Sequence, residues 1–211
     1  MTPLRAFPRV LFAIVIMVFA VALSQQLAHL AEAPTPLAAA LTLTYLIWLV
    51  AEVPVTFRRS SQPVAEGRTL IAYGMARVGT ATAAVLGPVP WDGWSVWLAL
   101  PASAFVAGML LRLVATRTLG RFYSHHVVRR HDHSVVTAGP YRLVRHPAYS
   151  GMILAHVGFV VFFANPVSVA GLLLLVAAVA WRIKVEERVM WTVPGYPEYA
   201  LARARVLPGA W

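Results

Sequence analysis

The sequence predicts an all-α integral membrane protein of six transmembrane helices, the last two a short helical hairpin, with a long cytosolic segment before that hairpin. Three observations predict this class. The chain is 59% hydrophobic and 12% charged over 211 residues, whereas soluble domains average about a quarter charged. A domain of this size could not bury that much apolar surface in water, and a bilayer accepts it. The apolar residues gather into six runs, and the basic residues fall in alternate connections between them.

Four runs, Val10–Leu30, Pro36–Phe57, Thr69–Val89 and Trp94–Thr116, have 21 to 23 residues each. At about 1.5 Å per residue each spans about 30 Å of hydrocarbon. The first run follows Arg5 and Arg9 as a signal peptide would. It is longer than a signal's apolar stretch and lacks a clean small-residue cleavage site, so it reads as a retained helix. Two shorter runs, Ala148–Phe163 and Val167–Trp181, flank Asn165-Pro166. Proline suits a first helical turn and breaks a continuous helix, so the pair reads as a tight hairpin. The chain divides into four helices over 1–116 and a polar segment, hairpin and tail over 117–211, all within one domain.

Orientation follows from the placement of arginine and lysine. They precede the first run, lie between the second and third and between the fourth and fifth, and follow the sixth. The loops around Glu32, Asp92 and Asn165 contain none. Both termini are therefore expected in the cytosol. One lysine accompanies seventeen arginines, a bias that suggests a GC-rich genome and a bacterial inner membrane. The net charge of +10 sits beside membrane segments, so no nucleic acid is expected as partner. With no cysteine there is no disulfide, thiolate metal site or cysteine nucleophile.

Glu52, Arg77 and Arg112 interrupt the apolar runs. Ionisable groups in a bilayer face the bundle interior or a wet cavity. One reading has Arg112 snorkelling and Glu52 paired with Arg77 for packing; the other has all three lining a polar cavity.

The densest polar stretch is HHVVRRHDHSVVTAGPYRLVRHPAY, from His125 to Tyr149, with five of the seven histidines. His131 and His133 do not match a helical i, i+4 pair and Asp132 is the only nearby acid, so no metal is expected. A second cluster, RIKVEER, places Arg182 and Glu186 on one helical face. If the hairpin turns between Asn165 and Pro166, Tyr149 lies opposite Arg182 and Arg145 opposite Glu186. Two polar clusters distant in sequence then meet at one membrane depth.

These residues carry a resemblance. TAGPYRLVRHPAYSG followed by RIKVEER resembles the isoprenylcysteine carboxyl methyltransferase family and its phospholipid methyltransferase relatives, over about Gly120 to Trp211 and more loosely from Pro36. The resemblance implies S-adenosyl-L-methionine as cofactor, bound by the cytosolic segment. His133, Ser134, Val135, Val136, Tyr141, His146, Pro147, Ala148 and Tyr149 match positions that hold it in the family. Glu186 matches a cofactor-contacting glutamate, and His126 aligns with a polar contact that is often glutamine. Arg182 matches the arginine that engages the acceptor, here a lipophilic, prenyl- or lipid-like substrate drawn from the membrane. Two features depart from the family: Glu186-Glu187 is followed by Arg188 rather than further acids, and the tail GYPEYALARARVLPGAW matches only partly. The first helix looks like an addition.

The chemistry agrees with carboxyl methylation. A carboxylate with a pKa of about 3.5 is already a nucleophile at neutral pH and needs no general base, and no Ser-His-Asp or Cys-His arrangement is evident. Arginine suits the holding role because its planar fork grips a carboxylate at two points. Three other readings stay open: a phospholipid or small-molecule methyltransferase, with His146 as proton acceptor; an NADPH-dependent membrane reductase; and a non-enzymatic scaffold or transporter.

Overall fold

The computed structural model describes residues 3–56, 67–120 and 135–209. Eight α-helices form among them: α1 Pro3–Ala28, α2 Thr35–Ala51, α3 Val53–Thr56, α4 Gly67–Val85, α5 Ala99–Leu119, α6 Pro147–Phe162, α7 Pro166–Met190 and α8 Tyr196–Leu201. No strand occurs among the described residues. Three stretches are long and apolar enough to cross a membrane, Arg9–Ala28, Val96–Leu119 and Pro166–Met190, with Thr35–Ala51 and Pro147–Phe162 as shorter apolar helices. The chain is an integral membrane protein by this composition.

Local chemistry sets the helix ends. Pro36 and Pro147 lie in the first turns of α2 and α6, where the missing N–H costs nothing. Ser95 accepts a bond from the Trp97 amide and opens the 3-10 turn that leads into α5. Gly120, at φ 51°, ends α5 in a conformation that favours glycine. Asn165 and Ser168 form a reciprocal capping box at the start of α7. The Asn165 amide also donates to the Ala83 and Phe163 carbonyls, which ties the hairpin turn to the end of α4.

One length differs from the sequence expectation. The third apolar run stops as a helix at Val85, ahead of Gly87-Pro88. The last helix runs past its apolar stretch through RIKVEER, as the Arg182–Glu186 register expects, and ends at Met190. Its final turns are polar and hold helical form because Glu186 and Glu187 find partners on other elements. The hairpin is thus one short helix against one of full spanning length.

The bundle core is an aromatic layer joining α1, α2, α5 and α6. Phe19 stacks on Tyr45 at 4.8 Å, Phe159 lies 4.9 Å from Tyr45, and Phe105 lies 5.4 Å from Phe159. His156, fully buried beside them, bonds Tyr45 and the Met152 carbonyl. Where α5 and α6 cross, glycines replace side chains: a Cβ on Gly108 would stand 2.2 Å from the Ala155 amide, and one on Gly158 2.4 Å from that of Phe105. Such close backbone contact is how helices associate without a hydrophobic driving force.

Arg112 does not snorkel. It is 1% exposed and its Nε donates to Glu52, which also accepts from Arg77 Nη1 at 2.6 Å and from Trp48 Nε1 at 3.0 Å. A carboxylate within reach holds a guanidinium inside the bundle more firmly than a route to the interface does. The expected Glu52–Arg77 pair is thus one arm of a triad that joins α4 and α5 to the residue capping α2. Arg112 also donates to the Ala148 carbonyl, and Arg182 to Thr69. The end of α2, the start of α4, the end of α5, the start of α6 and the end of α7 therefore meet at one end of the bundle.

Candidate functional site

The site grows from the start of α6 and the end of α7. His146 occupies the position just before α6, and Pro147 and Ala148 are buried in its first turn. Tyr149 follows and reaches across to α7. Arg182 Nε donates to the Tyr149 hydroxyl at 2.7 Å, and that hydroxyl donates to Glu186 Oε1 at 2.6 Å. Arg182 Nε and Glu186 Oε1 stand 3.1 Å apart, one helical turn from each other. Arg182 is fully buried and its Nη1 donates to Thr69 at 3.3 Å. Tyr149 and Arg182 therefore face each other as the hairpin register predicts.

The other expected pair is displaced by one residue. Arg145 Nη1 bonds Glu187 Oε1 at 2.9 Å rather than Glu186. Glu187, 3% exposed, also accepts from His146 Nε2 at 3.1 Å and, through Oε2, from Arg205 Nε at 2.8 Å. Successive helical residues point about 100° apart, from 3.6 residues per turn. Glu186 consequently meets Tyr149 and Arg182, and Glu187 meets Arg145, His146 and Arg205.

Sequence reasoning missed both Glu187 and the tail. Residues after α8 lie along the segment that leads into α6. The Arg145 and His146 amides donate to the Ala204 and Arg205 carbonyls at 2.9 and 2.8 Å, and Ser150 Oγ donates to the Val206 carbonyl at 2.6 Å. The Tyr199 hydroxyl donates to the Tyr141 carbonyl at 2.8 Å, and Arg203 Nε to the Arg142 carbonyl at 3.1 Å. Burial raises the Tyr199 and Tyr196 phenols above their ordinary range, with Glu187 adding to the rise at Tyr196. Both stay neutral at physiological pH. The available signal was the run of tyrosines and arginines in the tail, which has no helical or strand period to interpret.

Of the other expected site residues, Tyr141 is buried and packs with Ala115 and Ala148, and Val136 packs against that group. Val135 packs instead against Val193, Tyr196 and Tyr199. His126, His133 and Ser134 lie outside the described residues. Beside the tail is an open cleft of about 580 Å³ lined by Arg145, Trp191, Arg203, Arg205 and Gly209 among others.

Glu186 supplies the test of fit for S-adenosyl-L-methionine. Its Oε1 is engaged by Tyr149 and Arg182, while its Oε2 stands 4.0 Å from His146 Nδ1, beyond hydrogen-bonding reach. A partly exposed carboxylate with a spare oxygen suits a cationic ligand group.

A sequence model of the isoprenylcysteine carboxyl methyltransferase family matches residues 97–192, which hold α5, α6 and α7. A rice (Oryza sativa subsp. indica) relative, a probable protein-S-isoprenylcysteine O-methyltransferase, is 36% identical over 137 residues, 62% of this chain and 71% of the relative. The chain belongs to the isoprenylcysteine carboxyl methyltransferase family. Protein-S-isoprenylcysteine O-methyltransferase B of Arabidopsis thaliana is 39% identical over 83 residues, 38% of this chain and 40% of its own. The corresponding Dictyostelium discoideum enzyme is 38% identical over 80 residues, 37% and 33% of the two chains. Family membership makes the chain a methyltransferase, and the Tyr149–Arg182–Glu186 cluster lies inside the matched region.

Proposed function

We propose that the chain methylates the carboxylate of an isoprenylcysteine-like acceptor, using S-adenosyl-L-methionine, at the cytosolic face of the membrane. The observation that carries this reading is the junction of Arg182 with Glu186 through one tyrosine hydroxyl, at 2.7 and 2.6 Å. A guanidinium suits an anion and a carboxylate suits a cation, and their closeness where apolar helices end supports the reading. The names of the rice, Arabidopsis and Dictyostelium relatives support the acceptor class.

When bound, the cofactor supplies an electrophilic methyl group on a sulfonium. Glu186 and His146 would hold its cationic and polar groups, with Val136, Tyr141 and Tyr149 beside them. The acceptor carboxylate takes the place of Thr69 on the Arg182 fork. The acceptor carboxylate is already deprotonated at neutral pH, so no residue of this chain would have to remove a proton during the transfer. Opposite charges disperse as the reaction proceeds, so a dry pocket helps once both partners are held in line.

Calorimetric titration of the detergent-solubilised protein with S-adenosyl-L-methionine, beside NADPH, tests the class. His146→Ala and Glu186→Ala should each weaken binding of the methyl donor at least tenfold, about 1.4 kcal/mol. Arg182→Ala should abolish turnover while leaving that affinity nearly unchanged, because Tyr149 and Glu186 still bond each other. Arg182→Lys should rescue only partly, since an ammonium lacks the two-pronged geometry. Unchanged cofactor affinity in both His146→Ala and Glu186→Ala, with folding intact, rejects the placement.

A further inference from the structure

Thr69, Tyr73 and Arg77 lie at successive i, i+4 positions and form one buried face of α4. Thr69 already touches Arg182. The Tyr73 ring meets the Tyr149 ring edge-on at 6.0 Å, and Tyr149 in turn bonds Arg182. Tyr73 is 3% exposed, yet its hydroxyl has no hydrogen-bond partner. Arg77 is 8% exposed; it spends Nη1 on Glu52 and lays its guanidinium 4.8 Å from the Trp48 ring, while Nε and Nη2 have no hydrogen bond. Buried donors left unmade are costly, and a native protein rarely keeps two side by side without use.

Arg77 and Arg112 share Glu52 on the same side of the bundle. An anion that joins buried guanidinium groups lowers the cost of holding their charge in an apolar interior.

We propose that the Tyr73–Arg77 face of α4 binds the acceptor's carboxylate together with Arg182, so that the anion is held between arginines on two facing helices. This rests on the reading of the site as a carboxyl methyltransferase and adds the residues that select an acid over a neutral acceptor. Tyr73 donates its free hydroxyl and Arg77 its free N–H groups.

The test uses the full chain in nanodiscs of zwitterionic lipid, with an S-farnesylcysteine derivative and its C-terminal amide as probes. Tyr73→Phe removes a hydroxyl that makes no internal bond, so folding should be unaffected. It should raise the acceptor KM at least tenfold and leave the cofactor Kd within twofold. Arg77→Met leaves a neutral Glu52–Arg112 pair and should behave alike, with Arg77→Lys partly restored. The native protein should bind the acid at least tenfold more tightly than the amide, and Tyr73→Phe should lose most of that preference. An unchanged KM and an unchanged preference in Tyr73→Phe overturn the proposal, a buried water then being the partner of the hydroxyl. Competition for the acid site by anionic phosphatidylglycerol, added to the nanodiscs, overturns it in favour of lipid phosphate. A native protein that prefers the acid through Tyr73 but does not methylate it keeps this inference and removes the reading on which it was built.

Discussion

Glu187 shows how one side chain couples the tail to the site. It accepts from Arg145, His146 and Arg205, which belong to two chain segments, and is itself almost fully buried. Removing one partner of a buried ion pair typically costs about 3 kcal/mol or more, because the remaining charges lose their compensation. The Arg205 arm is partly exposed and contributes less. Glu187→Gln should therefore lower the thermal midpoint measurably and expose the tail beyond Tyr199 to protease, while Glu32→Gln, whose pairing with His29 is exposed, leaves the midpoint near the native value. Midpoints in detergent with limited proteolysis check this; equal stability of the two variants would show that Glu187 anchors nothing. The motif pointed to Glu186 and passed over Glu187, because adjacent identical acids differ only in what each helical face meets.

At the scale of elements, the α5–α6 crossing is held by backbone contact. A Cβ on Gly151 would lie 2.6 Å from both the Arg112 amide and the Gly108 carbonyl, so a side chain there forces the helices apart. That separation would pull Arg112 from Glu52 and from the Ala148 carbonyl. Gly151→Val should abolish or severely reduce folded protein, more than the usual 1–3 kcal/mol of overpacking. Gly74→Ala, where nothing lies within 4 Å, should be neutral. Comparing monodisperse yield for the two variants by size-exclusion chromatography decides the matter, and well-folded Gly151→Val would contradict the close-contact account.

At the scale of the molecule, the contacts bring the ends of α2, α5 and α7 and the starts of α4 and α6 to one end. With six spans, this is the end where the arginine-rich connections lie and where both chain termini are expected. Reporter fusions after Glu32, Asp92 and Asn165 should all read extracytoplasmic, and a cytosolic signal from the Asp92 loop would refute the six-span topology.

Composition and run length were enough to read a helical membrane protein, because the bilayer imposes those features on any chain. Proline at the hairpin turn was enough to pair Tyr149 with Arg182. Tertiary structure decided the rest. The partner of Arg112 is a glutamate 60 positions away, Arg205 reaches Glu187 across the tail, and Tyr73 stands against Tyr149 from another helix. A helical period reports which residues share a face but not which face of another helix they meet. Those meetings set which buried charges are paired and on which element each pair is closed.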